Sequence, residues 1–221
     1  MGQKMGGKRM LKMNEICNMG CMQGMAQFPD KYFDLAIADP PYGLGNAVVN
    51  SGGRFKRYEN KNGNWDMAVP DDTYFKELFR VSKNQIIWGG NYFNLPPTKC
   101  FLIWDKQQPQ GVSFASCEFA WTSLDGVAKT FYLRPQGQQD RFHPTQKPVE
   151  LYTWLLQNYA KQGYKILDTH LGSASSIIAC IKSPLELEYI GFEIDKEYFD
   201  LAQDRINTVK AQSTIFDLIG G

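Results

Sequence analysis

The strongest constraint on the fold is the way short apolar runs alternate with segments of helical period along the chain. Strand-length runs occupy Glu15 to Asn18, Phe33 to Ala38, Gln85 to Trp88, Phe101 to Trp104, Cys117 to Trp121, Ala128 to Leu133, Lys165 to Asp168 and Tyr189 to Glu193. Several, such as Leu35-Ala36-Ile37-Ala38, are apolar at successive positions and so on both faces, which a strand needs only when helices cover the sheet on both sides. Helical patterns fall between them. Asp71 to Ser82 follows Pro70 with acids in its first turn and places Tyr74, Phe75, Leu78 and Phe79 on one side. Pro148 to Lys161 repeats apolar residues at 151, 152, 155, 156 and 159 and is followed by Gly163. Asp195 to Val209 repeats at Tyr198, Ala202, Ile206 and Val209, and a shorter helix is expected to start near Ser173 or Ala174. The alternation predicts an α/β fold with a mostly parallel sheet.

At 221 residues, 43% of them apolar, the chain is long enough for one well-buried core. The reading is a single domain over 14–221, preceded by a disordered basic segment over 1–13 that carries Lys4, Lys8, Arg9 and Lys12. That segment lacks the apolar stretch of a secretory signal, and Gly at position 6 does not fit a myristoylation site. No apolar run approaches the roughly 18 residues that span a bilayer, so no membrane partner is expected. The balance of 24 bases against 23 acids gives a net charge of +1, which excludes a uniformly basic coat; any polyanion contact must be local. Five cysteines, an odd number, read as buried thiols in a reducing cytoplasm. Cys17 and Cys21 have no second Cys/His pair at ligand spacing, so no metal is expected.

Three strings carry chemistry. Asp39-Pro40-Pro41-Tyr42-Gly43 follows a buried strand directly, at the carboxyl end where open α/β sheets bind ligands. Its prolines stiffen the turn and leave carbonyl acceptors unpaired, Asp39 adds an anionic acceptor and Tyr42 an aromatic face. Such a corner can accept hydrogen bonds from an exocyclic amine while a planar ring stacks on the tyrosine. The second string, Asp168-Thr169-His170-Leu171-Gly172-Ser173-Ala174, is again strand, tight turn and helix. Its acid can take an ammonium group, and Glu193 ends the next strand 21 residues past Gly172, the spacing of an acid that binds ribose hydroxyls. The third string runs from Phe142 to Glu150, where Thr145 is expected to cap the following helix and Lys147 to offer a mobile cation for a carboxylate.

Two stretches fit neither strand nor helix: Gly43 to Asp66, and Lys106 to Ser116 together with Pro135 to Arg141. The first contains Arg54-Phe55-Lys56-Arg57-Tyr58, bases interleaved with aromatics as in loops that grip phosphates and stack bases.

Together these strings resemble the amino-directed DNA methyltransferases that use S-adenosylmethionine, in the permuted subgroup whose catalytic half comes first. Ile87-Trp88-Gly89-Gly90-Asn91-Tyr92-Phe93 and Trp104-Asp105-Lys106 resemble the middle of the short N6-adenine members. The resemblance covers about Asn14 to Ile206. It implies a Rossmann-like seven-stranded methyltransferase fold, with a catalytic half over 14–133 that carries the DNA-facing insert 43–66, and a cofactor half over 134–221. It implies Asp39, Pro40, Pro41 and Tyr42 as the catalytic motif, and Asp168, His170, Gly172 and Ser173 as the cofactor loop. Glu193 would then lie on the ribose hydroxyls, and His143, Thr145 and Lys147 over the methionine end. Arg54, Lys56, Arg57 and Tyr58 become DNA contacts, and the partner is double-stranded DNA. Thr169, His170 and Ala174 stand where the family loop usually has Pro, Phe and a second Gly, and His170 reads as a packing and hydrogen-bonding replacement. Gly20 stands where an acid often contacts the cofactor adenine. N4-cytosine methylation and a DNA-binding relic without activity remain alternatives, as do a second subunit and a cognate restriction endonuclease as partners. A dinucleotide-dependent oxidoreductase would need the full G-x-G-x-x-G string, which is absent, and leaves Asp39 to Tyr42 without a role.

Overall fold

The computed structural model describes residues 11–43, 69–109, 111, 115–134, 142, 143 and 145–219, with side chains to 212. The strands are β1 (Glu15–Asn18), β2 (Phe33–Ala38), β3 (Ser82–Trp88), β4 (Leu102–Asp105), β5 (Cys117–Thr122), β6 (Lys129–Tyr132), β7 (Lys165–Asp168) and β8 (Glu188–Glu193). The helices are α1 (Cys21–Met25), α2 (Asp72–Val81), α3 (Val149–Tyr159), α4 (Ser175–Lys182) and α5 (Lys196–Ile219). All eight strands join one sheet in the order β1-β8-β7-β2-β3-β5-β4-β6. Every neighbouring pair is parallel except the two that involve β5. The sheet thus has eight strands where the resemblance implied seven; β6 adds the eighth by pairing along the outer side of β4, Leu102 opposite Lys129 through Asp105 opposite Tyr132.

The alternation of β2 shows why both faces are covered. Leu35 and Ile37 enter a core with Leu151, Leu155, Ile177 and Ile178 of α3 and α4. Phe33, Ala36 and Ala38 enter the opposite core with Tyr74, Phe75 and Leu78 of α2 and Met25 of α1. Period-2 alternation sends successive side chains to opposite faces, so the apolar run from Leu35 to Ala38 feeds two cores. The half-buried Leu11 and Met13 pack against the second core.

Local signals set the helix ends. Asp71 caps α2 by accepting hydrogen bonds from the Thr73 and Tyr74 amides, one residue inside the predicted start. The N-cap of α3 is Pro148, with no side-chain cap. Thr145 sits three residues too early to cap that helix, and its hydroxyl instead meets His143 Nδ1 at 3.1 Å. α1 and a single 3₁₀ turn at Gly90–Tyr92 carried too few periodic positions to be predicted.

The chain order places the site. β2 and β7 are adjacent, Leu35 opposite Ile166 and Ala36 opposite Leu167. From β2 the chain proceeds outward to β3, and from β7 it proceeds the other way to β8. That reversal is a topological switch point, and the carboxyl ends of β2 and β7 open onto the crevice it creates. In β8, Gly191 lets the Leu171 side chain lie against the strand, since a Cβ there would come within 2.7 Å of Leu171 Cδ1. Leu171 also donates its amide to the Phe192 carbonyl at 2.9 Å, so the loop after β7 is tied to β8 twice. Gly191→Val is expected to lift Leu171 and cost about 2 kcal/mol by overpacking, read as a lower urea midpoint at unchanged slope.

Candidate active site

Asp39 leaves the end of β2 with its carboxylate half-enclosed. Oδ1 accepts the Tyr42 hydroxyl at 2.5 Å, and Oδ2 is ion-paired with the Lys147 ammonium. Lys147 is held from a third side by Glu118, whose Oε2 lies 3.1 Å from Nζ. Its side chain is only 3% exposed, and its ammonium lies against the faces of Trp88 and Tyr42 at 5.5 and 5.8 Å from the ring centroids. Burial alone would lower the Lys147 pKa, but the charges of Asp39 and Glu118 reverse that and raise it, so the ammonium stays protonated. The expected mobile cation is therefore fixed. Two carboxylates of its own chain hold it, because a buried ammonium without such partners would be costly.

Burial pushes the Glu118 carboxyl up, and Lys147 and Lys106 more than reverse it, to about 2. Burial, then the charges of Asp39 and Glu118, push the Tyr42 hydroxyl well above its ordinary range, so it donates to Asp39 as a neutral phenol. Tyr92 stacks on the Tyr42 ring, centroids 5.1 Å apart and planes 18° apart, and is itself 46% exposed. Gly89, at φ +69°, makes this packing possible: a Cβ there would lie 2.2 Å from Tyr42 Cε1.

The second string lies across the switch point. The Asp168 carboxyl is buried; it accepts the His170 amide at 3.0 Å and the Ser176 hydroxyl from the first turn of α4. Burial is the main cause that raises its pKa to about 7. The Thr169 hydroxyl meets Tyr74 of α2 at 2.7 Å and His170 Nδ1 at 3.0 Å, while His170 Nε2 is 3.9 Å from Cys21 Sγ. Burial lowers His170 to about 4, so the imidazole is neutral near pH 7, in keeping with a packing and hydrogen-bonding replacement.

Gly172, at φ +49°, faces the His143 ring, which stacks edge-on against Tyr198 at 4.5 Å. The Ser173 carbonyl accepts from Arg205 Nη1 of α5 at 2.8 Å, and the Ser173 hydroxyl meets that of Ser175 at 3.1 Å. The Glu193 carboxylate accepts the Gly172 amide at 2.9 Å through one oxygen and the Asp195 amide at 2.9 Å through the other. The 21-residue spacing thus appears as a direct contact between the turn and the acid. Ile194, beside it, is 76% exposed, and next to Gly20 the nearest side-chain atom is Ile194 Cδ1.

The structure brings Asp39, Tyr42, Lys147, Asp168 and Glu193 to the carboxyl edge of one sheet. Arg54, Lys56, Arg57 and Tyr58 lie outside the described residues, as do most of 43–66 and 135–141. Val69, on the far side of the undescribed residues 44–68, packs its side chain where a Gly43 Cβ would be, so the described chain on either side of that stretch meets next to Tyr42. The sequence reading missed Glu118 and Ser176. An acid inside the apolar run Cys117 to Trp121 was a signal for Glu118; Ser176 had none beyond its place in a helical first turn. Among the described residues no cluster of His, Cys, Asp and Glu could hold a metal, and no helix is long and apolar enough to cross a membrane. Cys100 and Cys180 are buried, but Cys117, expected inside, is exposed at the edge of β5.

Acidic strand ends on both sides of a switch point, with a nucleoside-type turn and acid on one of them, have the layout of a nucleotide-binding α/β crevice. Comparison with known proteins narrows this. The N6/N4 family described as DNA methylase matches residues 103–204. The type II methyltransferase M.HinfI of Haemophilus influenzae is 23% identical over 260 residues, covering 94% of this chain and 72% of its own. Among solved structures, the M1.HpyAVI–SAM complex superposes with a TM-score of 0.55 at 18% identity, covering 87% of this chain and 98% of that one. The cytosine-N4-specific PvuII DNA methyltransferase superposes with a TM-score of 0.57 at 12% identity, covering 85% and 84%. Over residues 103–204 the chain is thus similar to the N6/N4 DNA methylases, and its similarity to M.HinfI extends over most of its length.

Two measurements test the site as built. Gly89→Ala is expected to drive Tyr42 off Gly89 and Tyr92 and to cost at least about 2 kcal/mol, from strain at positive φ and overpacking, seen as a lower Tm. Asp168 binds its proton more tightly folded than unfolded, so its contribution to stability is complete below its ordinary range near pH 4 and is lost as pH rises through about 7. Asp168→Asn should flatten that part of the stability-versus-pH curve; an unchanged slope between pH 4 and 7 would contradict the burial effect.

Proposed function

We propose that this protein transfers a methyl group from S-adenosylmethionine to the N6 amino group of adenine in double-stranded DNA. The observation that carries the reading is the pairing of β2 with β7, which sets Asp39 beside the Asp168 turn on one edge of the sheet.

The residues present fit the cofactor. Asp168 is a buried carboxyl suited to an ammonium group, and Glu193 keeps outward lone pairs for two hydroxyls after accepting its two amides. The tight turn at Gly172 and Ser173 allows close backbone approach. When bound, the cofactor supplies a methyl carbon made electrophilic by its attachment to a sulfonium.

Asp39 does the work on the amine. Each oxygen of its carboxylate holds one hydrogen bond in the structure and has a second lone pair, so it can accept an amino N–H without releasing Tyr42 or Lys147. The Pro40 carbonyl is suited to the second N–H. These acceptors draw the nitrogen lone pair out of the ring and stabilise the positive charge that grows on nitrogen as the N–C bond forms. The C–S bonding pair stays on sulfur, and the surplus proton leaves the nitrogen to Asp39 or to water. Reaching the amine inside a duplex requires flipping the base, at a cost of a few kcal/mol. Stacking on Tyr42 offsets part of it, with Tyr92 moving aside or closing over the base. Arg54, Lys56, Arg57 and Tyr58, in an insert anchored beside Asp39, supply the phosphate and base contacts.

Adenine is favoured over cytosine because the sequence from Asp39 to Tyr42 opens with Asp, as in the N6-adenine members that the chain resembles. Asp39→Asn keeps a side chain for Tyr42 and avoids the cavity of an alanine. It is expected to lower tritium transfer from labelled cofactor to DNA by at least about 100-fold while cofactor binding persists. An Asn variant as active as the wild type would refute the role of Asp39.

A further inference from the structure

Glu118 has no role in the chemistry just described, yet it is enclosed beside it. β5 is the one strand that runs antiparallel to both of its neighbours, with Trp88 opposite Ala120 in β3 and Trp104 opposite Glu118 in β4. The start of an antiparallel strand lies at the edge where its parallel neighbours end, so β5 delivers Glu118 to the same edge as Asp39. Lys106, just after β4, reaches Glu118 Oε1 at 2.7 Å and lies over the Trp104 ring. Lys106, Glu118, Lys147 and Asp39 form a row of alternating charge that ends at the acceptor for the amine. Glu118 Oε2 is buried and accepts no aligned hydrogen bond; its contact with Lys147 at 3.1 Å is a charge contact. Glu118 is thereby held as an anion between two ammonium groups, next to the acceptor for the amine.

We infer that Glu118 is a positioning residue for methyl transfer: it shares the Lys147 ammonium with Asp39, and so keeps the Asp39 carboxylate oriented and available as an acceptor. The inference rests on the proposed function and extends it. With one carboxylate alone as partner, the ammonium would settle fully onto Asp39, turn that carboxylate and weaken it as an acceptor for the amine. With Glu118 opposite, Lys147 is held between two anions, and Tyr42 fixes the other Asp39 oxygen. Lys106 balances Glu118, so the row as a whole is neutral and can be buried.

The test uses the full chain and two variants. Glu118→Gln keeps shape and removes the charge; Lys106→Gln/Glu118→Gln also removes the counter-charge, which guards against a variant that fails through repulsion between the two lysines. Both are expected to lower kcat by about 10- to 100-fold, the scale of a misplaced catalytic group, with KM for DNA and for S-adenosylmethionine little changed. In protein labelled with ¹⁵N-lysine, the Lys147 ammonium signal, assigned by its loss in Lys147→Met, should shift or broaden in both variants. Wild-type kcat in either folded variant, recovery in the double variant alone, or an unchanged Lys147 signal would overturn the inference. A wild-type protein that methylates no DNA while the Lys147 signal responds to Glu118 would instead contradict the proposed function.

Discussion

The parallel pairing of β2 with β7 is the constraint from which the site follows. It joins two parts of the chain far apart in sequence, each ending its strand in an aspartate: Asp39 after Ala38, and Asp168 at the end of β7. Because the chain proceeds outward in opposite directions from these two strands, no crossover helix covers the gap at their carboxyl ends. The order of the halves along the chain does not matter to that geometry. The part that carries Asp39 and the part that carries Asp168 meet on the same edge.

The two sides of the crevice handle charge differently. On the β7 side the acids are satisfied by neutral donors: a serine hydroxyl and an amide for Asp168, two amides for Glu193. Neutral donors stabilise a carboxylate less than a cation does, and burial raises both groups, Asp168 to about 7. In the proposed reading Asp168 takes the ammonium group of the cofactor and Glu193 its ribose hydroxyls. On the β2 side Asp39 already has a cation, Lys147, and a phenol, Tyr42. In the proposed chemistry it serves as an acceptor of fixed orientation, with little need to act as a strong base. Rings enclose that arrangement: Trp88 and Tyr42 against the ammonium, and Tyr92 against Tyr42.

Much of the scaffold was legible in the sequence because the deciding signals are local. Continuous apolar runs located the strands, and β2 in particular showed in Leu35 to Ala38 that both faces would be covered. The turn from Asp168 to Ser173 and the distance to Glu193 singled out an acid for ribose hydroxyls, and the structure joins that acid to the turn by a hydrogen bond from the Gly172 amide. The failures are non-local. Nothing near Lys147 tells that Asp39, after β2, and Glu118, in β5, will clamp it, so it read as a mobile cation for a carboxylate. Thr145 fits the residue preference for a cap, but Pro148 takes the N-cap position. Glu118 passed as an ordinary strand residue because its importance depends on β5 being antiparallel, which periodicity does not encode. The eighth strand of the sheet likewise depends on where β6 pairs.

The central claim is that the chemistry at the end of β2 is directed at the adenine amine. Nucleoside mass spectrometry of unmodified double-stranded DNA after incubation with the purified protein and S-adenosylmethionine tests it most directly. The account predicts N6-methyladenine as the product. N4-methylcytosine in its place, or no methylated nucleoside at all, would contradict it.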